Sequence, residues 1–287
     1  PGSEFNGRTL NVLVDDGVVS KIAADDISSA DRIIESKHLL LQPGWFDLRA
    51  DFADPGYEHR EDLTSGSNAA VAGGFTGVQL LPGTSPVLDS KTQIEYVKQR
   101  AKGLGLHILP AGAISEGTKG GDICELYDMH TAGVKAFTDG DHAIQNPDLV
   151  RRAMLYCKTF NGVLMLSAHN KDIAGKGSVH EGVVGTSLGL KGTPVLAETL
   201  MISRDLYLAE YCESPVHFSC ISSAESVAII REAKAKAKGM QVTCDVAVAN
   251  LVYTDEVLAE FDSRYKVFPV LRTEADRLAL LEGLKDG

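Results

Sequence analysis

The sequence predicts an α/β fold made of repeated strand-helix units, and three observations carry that expectation. From residue 47 onward, strand-like runs alternate with helical ones, the pattern of a βα-repeat fold. The stretch Trp45-Phe46-Asp47-Leu48-Arg49-Ala50-Asp51 alternates side chains and then meets a Pro55-Gly56 turn, which reads as a strand with a buried apolar entry ending on a functional loop. The 287 residues, 44% of them apolar, can bury a full core; one α/β barrel domain commonly takes roughly 200–250 residues.

Taken in order, residues 1–42 contain TLNVLVDDGVVSKIA, two alternating apolar runs about Asp15-Asp16-Gly17 and a strong hairpin signal. Residues 43–287 form the barrel region. Strands are expected near 47–51, 75–82, 106–113, 132–138, 163–169, 215–221 and 241–246. Helical patterns lie near 64–73, 90–103, 122–130, 146–160, 195–212, 224–238 and 272–284. Gly73-Gly74-Phe75 reads as a helix-to-strand turn too short to cradle phosphate. The run REAKAKAKG reads as a solvated helix face ending at a C-cap glycine, Gly239. Seven strands are one fewer than a closed barrel uses. A parallel sheet with two unpaired edges is avoided in folded proteins, so the native chain is expected to continue beyond Gly287.

The net charge of −11 argues against nucleic acid and anionic lipid as partners, because both would repel such a surface. No apolar run approaches the ~20 residues that span a bilayer, and no signal-peptide pattern opens the chain. Cys124, Cys157, Cys212, Cys220 and Cys244 are odd in number and widely spaced, with no CxxC pair. A reduced, cytoplasmic setting is expected.

The chemistry gathers at the end of the first barrel strand. Its period of two puts Asp47, Arg49 and Asp51 on one face, and the inward face at a strand's C-terminal end is where barrels mount their chemistry. The run PGWFDLRADFADPGYEHREDL, followed by AAVAGGFTGVQLLPGTSP, resembles the start of dihydroorotases, amidohydrolase-superfamily enzymes that close carbamoyl aspartate to dihydroorotate. SAHNKDIAGKGSVHEG, LGLKGTPVLAETLMISRDLYLAE, HFSCISSAESVAIIREAKAKAKGMQVTCDV and GVKAFTDG are similar to later segments of that family, so the resemblance covers nearly the whole chain. It implies a TIM-like (β/α)8 barrel of the metal-dependent hydrolase type beside a small β-sandwich formed by the chain termini. It also places an eighth strand and a catalytic aspartate beyond residue 287.

The resemblance further implies zinc held by imidazoles and carboxylates, but this sequence departs from the pattern. Arg49 and Asp51 stand where the family has its His-x-His pair, and Cys220 stands where it has a further histidine. Of the implied ligands only Asp139 and His169 remain, and a zinc site needs three or four. Cys220 is either a thiolate ligand or a small buried hydrophobe. A guanidinium is charged at any physiological pH and offers a metal no lone pair. Arg49 is therefore expected to replace the metal, pairing with Asp51 or Asp139; the alternative is an arginine turned to solvent at a loop start. On the substrate side, Ala53 and Gly83 stand where the family grips the substrate carboxylate with an arginine and an asparagine. Ala247-Val248-Ala249-Asn250 replaces a TPHH run, with Asn250 read as a polar loop residue, and Phe268-Pro269-Val270-Leu271-Arg272 replaces an NPPLR run. His180 reads as part of a turn, His217 as a satisfied core histidine, and Lys135 as an inward residue serving structural pairing rather than as a bridging ligand.

Two functions follow as expectations. The first is a catalytically impaired dihydroorotase homologue with zinc weakly bound or not bound, acting as a structural partner of aspartate transcarbamoylase and itself an oligomer. The second is an active zinc-dependent cyclic amidohydrolase with an altered metal site. A repurposed pocket that binds an anion at Arg49 is a third possibility.

Overall fold

In a computed structural model, residues 3–27, 30–236, 239 and 241–287 are described. The chain divides into two compact units, Pro1–Pro43 and Gly44–Gly287. In the first, β1 (Asn11–Asp15) and β2 (Val18–Ala23) pair antiparallel, with Asp15 opposite Val18. Asp16 and Gly17 both have positive φ, which a tight two-residue hairpin turn demands and an Asp-Gly pair supplies. The described residues of this unit hold that hairpin alone, not the two sheets of a sandwich.

The second unit begins with β3 (Trp45–Ala50), α1 (Leu63–Ala72), β4 (Phe75–Leu80), α2 (Lys91–Arg100) and β5 (His107–Pro110). It continues through α3 (Leu126–Thr131), β6 (Ala136–Phe137), α4 (Pro147–Lys158) and β7 (Val163–Ser167). An insertion follows, α5 (Lys171–Ala174), β8 (Val179–His180), α6 (Val183–Ser187) and β9 (Gly192–Thr193), before α7 (Leu196–Cys212). The rest is β10 (Val216–Ser219), α8 (Ala224–Lys236), β11 (Val242–Cys244), α9 (Val248–Val252) and α10 (Glu274–Asp286).

Strands β3, β4 and β5 pair in parallel, as do β6, β7, β10 and β11, and a parallel bridge from Gly112 to Phe137 joins the two sheets. The order is thus β3-β4-β5-β6-β7-β10-β11, seven strands with free edges on β3 and β11 among the described residues. Phe137, Leu164 and Phe218 fill the interior, and Ile94, Val97, Met129, Leu149 and Ile202 face it from the helices. Helix starts carry their expected signals. Asp62 and Ser65 form a capping box, Asn146 caps α4 with Pro147 behind it, and Thr273 and Asp276 box α10.

The expected elements are present, most of them shorter than their sequence patterns. β5 and β11 stop early, whereas β6 starts four residues late and is only two residues long. The predicted end of α8 falls on residues 237 and 238, outside the described residues. Contrary to expectation, the entry of β3 is not buried, since Trp45 and Phe46 are about half exposed. β3 pairs on one side only, so its neighbours cannot cover them. Lys135 likewise lies exposed rather than inward, because β6 is two residues long and begins after it. No helix among the described residues is long and apolar enough to cross a membrane.

Candidate functional site

The candidate residues lie at the C-terminal ends of the strands, but they do not converge on one centre. The register between β3 and β4 slips between Asp47 and Ala50, and the Asp47 carboxylate accepts the Arg49 N–H at 2.8 Å. Arg49 Nη2 donates to the carboxylate of Asp141, in the loop after β6. The Arg49 side chain is 13% exposed, that of Asp141 63%, and Arg49 Nη1 is buried without a hydrogen-bond partner. This corrects the expected pairing with Asp51 or Asp139. Asp51 lies just past the end of β3, where its carboxylate accepts the Ala53 N–H at 3.0 Å and pairs with Arg60 at 2.8 Å. Asp139 is drawn into the neighbouring loop, accepting from the Ile114 N–H, the Ser115 N–H and the Ser115 hydroxyl. Burial pushes its pKa above the usual carboxylate range despite those bonds.

Cys220 ends β10 with a left-handed backbone, φ 53°, and its N–H donates to Asp245 at the end of β11. Burial pushes the thiol up to about 12, even though the nearby Arg49 charge pulls the other way. Asp245 also faces His217 Nε2 at 3.0 Å, and His217 Nδ1 meets Thr243 Oγ1 at 2.9 Å. Burial opposes ionisation of Asp245, yet His217, the Cys220 amide and the Arg49 charge together hold its pKa below the ordinary value. His217 is the satisfied core histidine that its strand position predicts.

His169 and Cys220 line a cavity of about 20 Å³ together with Thr193, Glu198, Ser219 and Arg272. That is space for about one water molecule. Burial, and then the Arg272 charge, lower the His169 pKa, so its imidazole is neutral at pH 7. Two of the lining residues, Arg272 and Glu198, form a buried ion pair at 3.6 Å. Glu198 accepts from the Ser222 and Ser223 amides and from the hydroxyls of Ser222, Ser223 and Ser226, which ties α7 to the start of α8. Arg272 donates to Ser222 Oγ at 2.7 Å and to the Thr193 carbonyl at 3.3 Å, and lies 3.2 Å from His180 Nδ1. His180 is therefore a buried strand residue rather than part of a turn. Asn250 is also buried rather than a loop residue, donating to the Val270 carbonyl at 3.0 Å. Ala53 is buried with φ 58°, and Gly83 is exposed with open space around it.

Sequence reasoning missed Asp141, Asp245 and the Glu198–Arg272 pair. The signals were an acid inside an apolar helix face at Glu198, the serine-rich run Ser222 to Ser226, and the retained arginine of the Phe268–Arg272 run.

Zinc would need three or four free donors in one place. Here Asp139 is bound by the Ile114–Ser115 loop, Asp51 by Arg60, Asp245 by His217 and Cys220, while burial keeps the Cys220 thiol protonated and a guanidinium stands nearby. Among the described residues, no group of three or more His, Cys, Asp or Glu side chains is placed to hold a metal ion. The donor set does not fit zinc.

Residues 38–226 match the family model described as dihydro-orotase-like. The chain is 38% identical to a dihydroorotase of Acetivibrio thermocellus over 100% of its own length and 67% of that protein. The chain belongs to the dihydroorotase-like family. A dihydroorotase of Citrifermentans bemidjiense is 40% identical over 97% of this chain and 66% of its own length. This family member thus spans about two thirds of the curated relatives it matches. Its fold is similar to that of the L-hydantoinase (dihydropyrimidinase) from Arthrobacter aurescens, with a TM-score of 0.80 and 22% identity over 97% of this chain and 63% of that one. Dihydroorotase from Saccharomyces cerevisiae in complex with 5-fluoroorotic acid gives a TM-score of 0.61 and 14% identity over 83% of this chain and 64% of that one.

Proposed function

We propose that this chain is a dihydroorotase-family protein of pyrimidine biosynthesis in which the Arg49–Asp141 ion pair stands in for a metal centre, leaving it catalytically impaired. Its role is structural, as a subunit that accompanies aspartate transcarbamoylase in the cytoplasm. The observation that carries this reading is the Arg49 guanidinium, buried beside Cys220 and Asp245 and held by Asp141. A +1 charge about 4 Å from a +2 ion costs roughly 8 kcal/mol at an effective dielectric of 20. A structural zinc site gains about 10–16 kcal/mol, so the guanidinium removes most of that affinity. Closure of the seven-stranded sheet by one further strand, and completion of the hairpin into a sandwich, belong to the same proposal.

A second reading, an active zinc enzyme with an altered site, draws on His169 and Cys220, which line the same cavity. Elemental analysis of protein prepared with added zinc separates the two. Well under one equivalent, with no dihydroorotate ring opening above background, supports the impaired reading, and stoichiometric zinc overturns it. In the converse experiment, Arg49→His, Asp51→His and Cys220→His combined raise zinc affinity if these positions still surround one point. No gain would show that they do not.

A further inference from the structure

Two buried hydroxyls line the cavity of about 20 Å³ without a hydrogen-bond partner among the described residues. Thr193 ends β9 and Ser219 ends β10, and each is only 3% exposed. An unpaired buried hydroxyl is costly, so two of them on one void point to a ligand that both can meet. The charged groups of the lining are unevenly served. Arg272, 4% exposed, gives its hydrogen bonds to neutral groups, Ser222 Oγ and the Thr193 carbonyl, and lies beside the His180 ring. Glu198 is 3.6 Å from that guanidinium, beyond hydrogen-bond reach. Its carboxylate is already met by the Ser222 and Ser223 amides and by the hydroxyls of Ser222, Ser223 and Ser226. The acidic side chain of the lining is thus satisfied, while a cation and two hydroxyls are left facing the void. Its size admits one heavy atom and excludes oxyanions such as phosphate or sulfate.

We propose that this cavity binds one monatomic anion, of which chloride is the ordinary case, held by the Thr193 and Ser219 hydroxyls and the Arg272 guanidinium. Each hydroxyl turns its hydrogen to the ion, and the guanidinium supplies the opposite charge that its neutral acceptors leave uncompensated. A water molecule would satisfy the hydroxyls but not that charge. The Glu198 carboxylate repels the ion, although its five donors spread the charge, so binding is weak, with a dissociation constant on the order of 10 mM. The ion joins the insertion through Thr193 to β10 through Ser219, and it stabilises the folded chain by binding only there. Arg49 is not among the lining residues, so this is a different place from an anion at that guanidinium. The inference rests on the reading that no metal occupies these strand ends.

Urea unfolding of the 287-residue chain, treated with a chelator, tests this when sodium chloride replaces sodium gluconate at constant ionic strength. The expected midpoint rises by about 0.7 M urea between no chloride and about 0.3 M chloride, along a saturating curve that bromide reproduces. Gluconate is too large for the cavity, and a general salt effect would not saturate. In Thr193→Val/Ser219→Ala the chloride-dependent rise falls to less than half, while the midpoint in gluconate stays at or above that of the wild type. As a measurement that needs no variant, a wild-type crystal soaked in bromide shows an anomalous peak within hydrogen-bond reach of both hydroxyls. A midpoint indifferent to chloride, a rise that the double variant keeps, or a cavity without the bromide peak overturns the proposal and leaves water as the occupant. Elemental analysis of the same preparation keeps the two readings apart. Metal-free protein that ignores chloride overturns the anion site alone, whereas stoichiometric zinc surviving the chelator overturns both.

Discussion

Replacing Arg49 by methionine should scarcely change stability, whereas replacing Asp141 by alanine should cost about 2 kcal/mol. The asymmetry follows from burial. A contact ion pair attracts by about 5 kcal/mol at an effective dielectric of 20, but the Asp141 side chain is 63% exposed, which reduces the net value to about 1 kcal/mol or less. When Arg49 is removed, Asp141 returns to water and Asp245 keeps His217 and the Cys220 amide. The methionine also disposes of Nη1, a buried donor already without a partner, whose desolvation costs about 1–3 kcal/mol. When Asp141 is removed instead, a guanidinium that is only 13% exposed loses its hydrogen-bonded anion and cannot recover it from solvent. Urea unfolding at pH 7 reads the difference. With m near 3 kcal/mol/M the Asp141→Ala midpoint falls by about 0.7 M, and Arg49→Met stays within about 0.3 M of wild type. The double variant should match Arg49→Met alone. An Arg49→Met loss as large as that of Asp141→Ala would refute the reasoning, since the arginine would then be a packing anchor rather than a displaced cation.

Glu198→Ala should destabilise by about 3–5 kcal/mol because it strands the buried Arg272 charge, while Arg272→Met should cost clearly less because Glu198 retains its serine hydrogen bonds; paired thermal melts compare them. Burial raises the Asp205 pKa to about 6 even with Arg204 beside it. A raised carboxyl favours the fold below its unfolded pKa and loses that contribution as pH rises through the folded one. Stability should therefore fall between about pH 4 and 6, by up to roughly 3 kcal/mol, and Asp205→Asn should flatten that slope in unfolding curves taken across the window. Thr193→Val and Ser219→Ala remove buried hydroxyls that have no protein partner, so each should be neutral or stabilising by up to about 1 kcal/mol in urea.

How much of this was legible in the sequence depended on whether a feature was local. The Asp-Gly hairpin, the Asn146-Pro147 helix start and the seven strand-helix repeats rest on turn chemistry and periodicity, and they stand within a few residues of where those signals put them. The exposure of Trp45 was not legible, because the number of neighbours a strand has is a property of the sheet. Partner choice among charges was the least legible. Parity put Arg49 and Asp51 on one face, but a register slip at the end of β3 turns Asp51 toward Arg60 and leaves Arg49 for Asp141, 92 residues away in sequence. Glu198 and Arg272 are separated by still other elements, and nothing in the spacing of either announces the other.

The same physics explains why the C-terminal ends of these strands close on themselves. A site that binds a cation must leave carboxylates and imidazoles with unsatisfied lone pairs, a cost that only the ion offsets. Asp139 has given its oxygens to Ile114 and Ser115, Asp245 to His217 and Cys220, and Asp51 to Ala53 and Arg60. Binding zinc would require breaking several of these bonds at about 1–3 kcal/mol each, besides ionising a thiol held at about 12. Restoring histidines at positions 49, 51 and 220 removes the guanidinium and that thiol but leaves the Asp139 bonds in place. Ser115→Ala, which frees one oxygen of that carboxylate, should therefore add to the zinc affinity gained by the histidine triple variant. Equal zinc titrations with and without Ser115→Ala would show that Asp139 lies outside any metal site this fold can form.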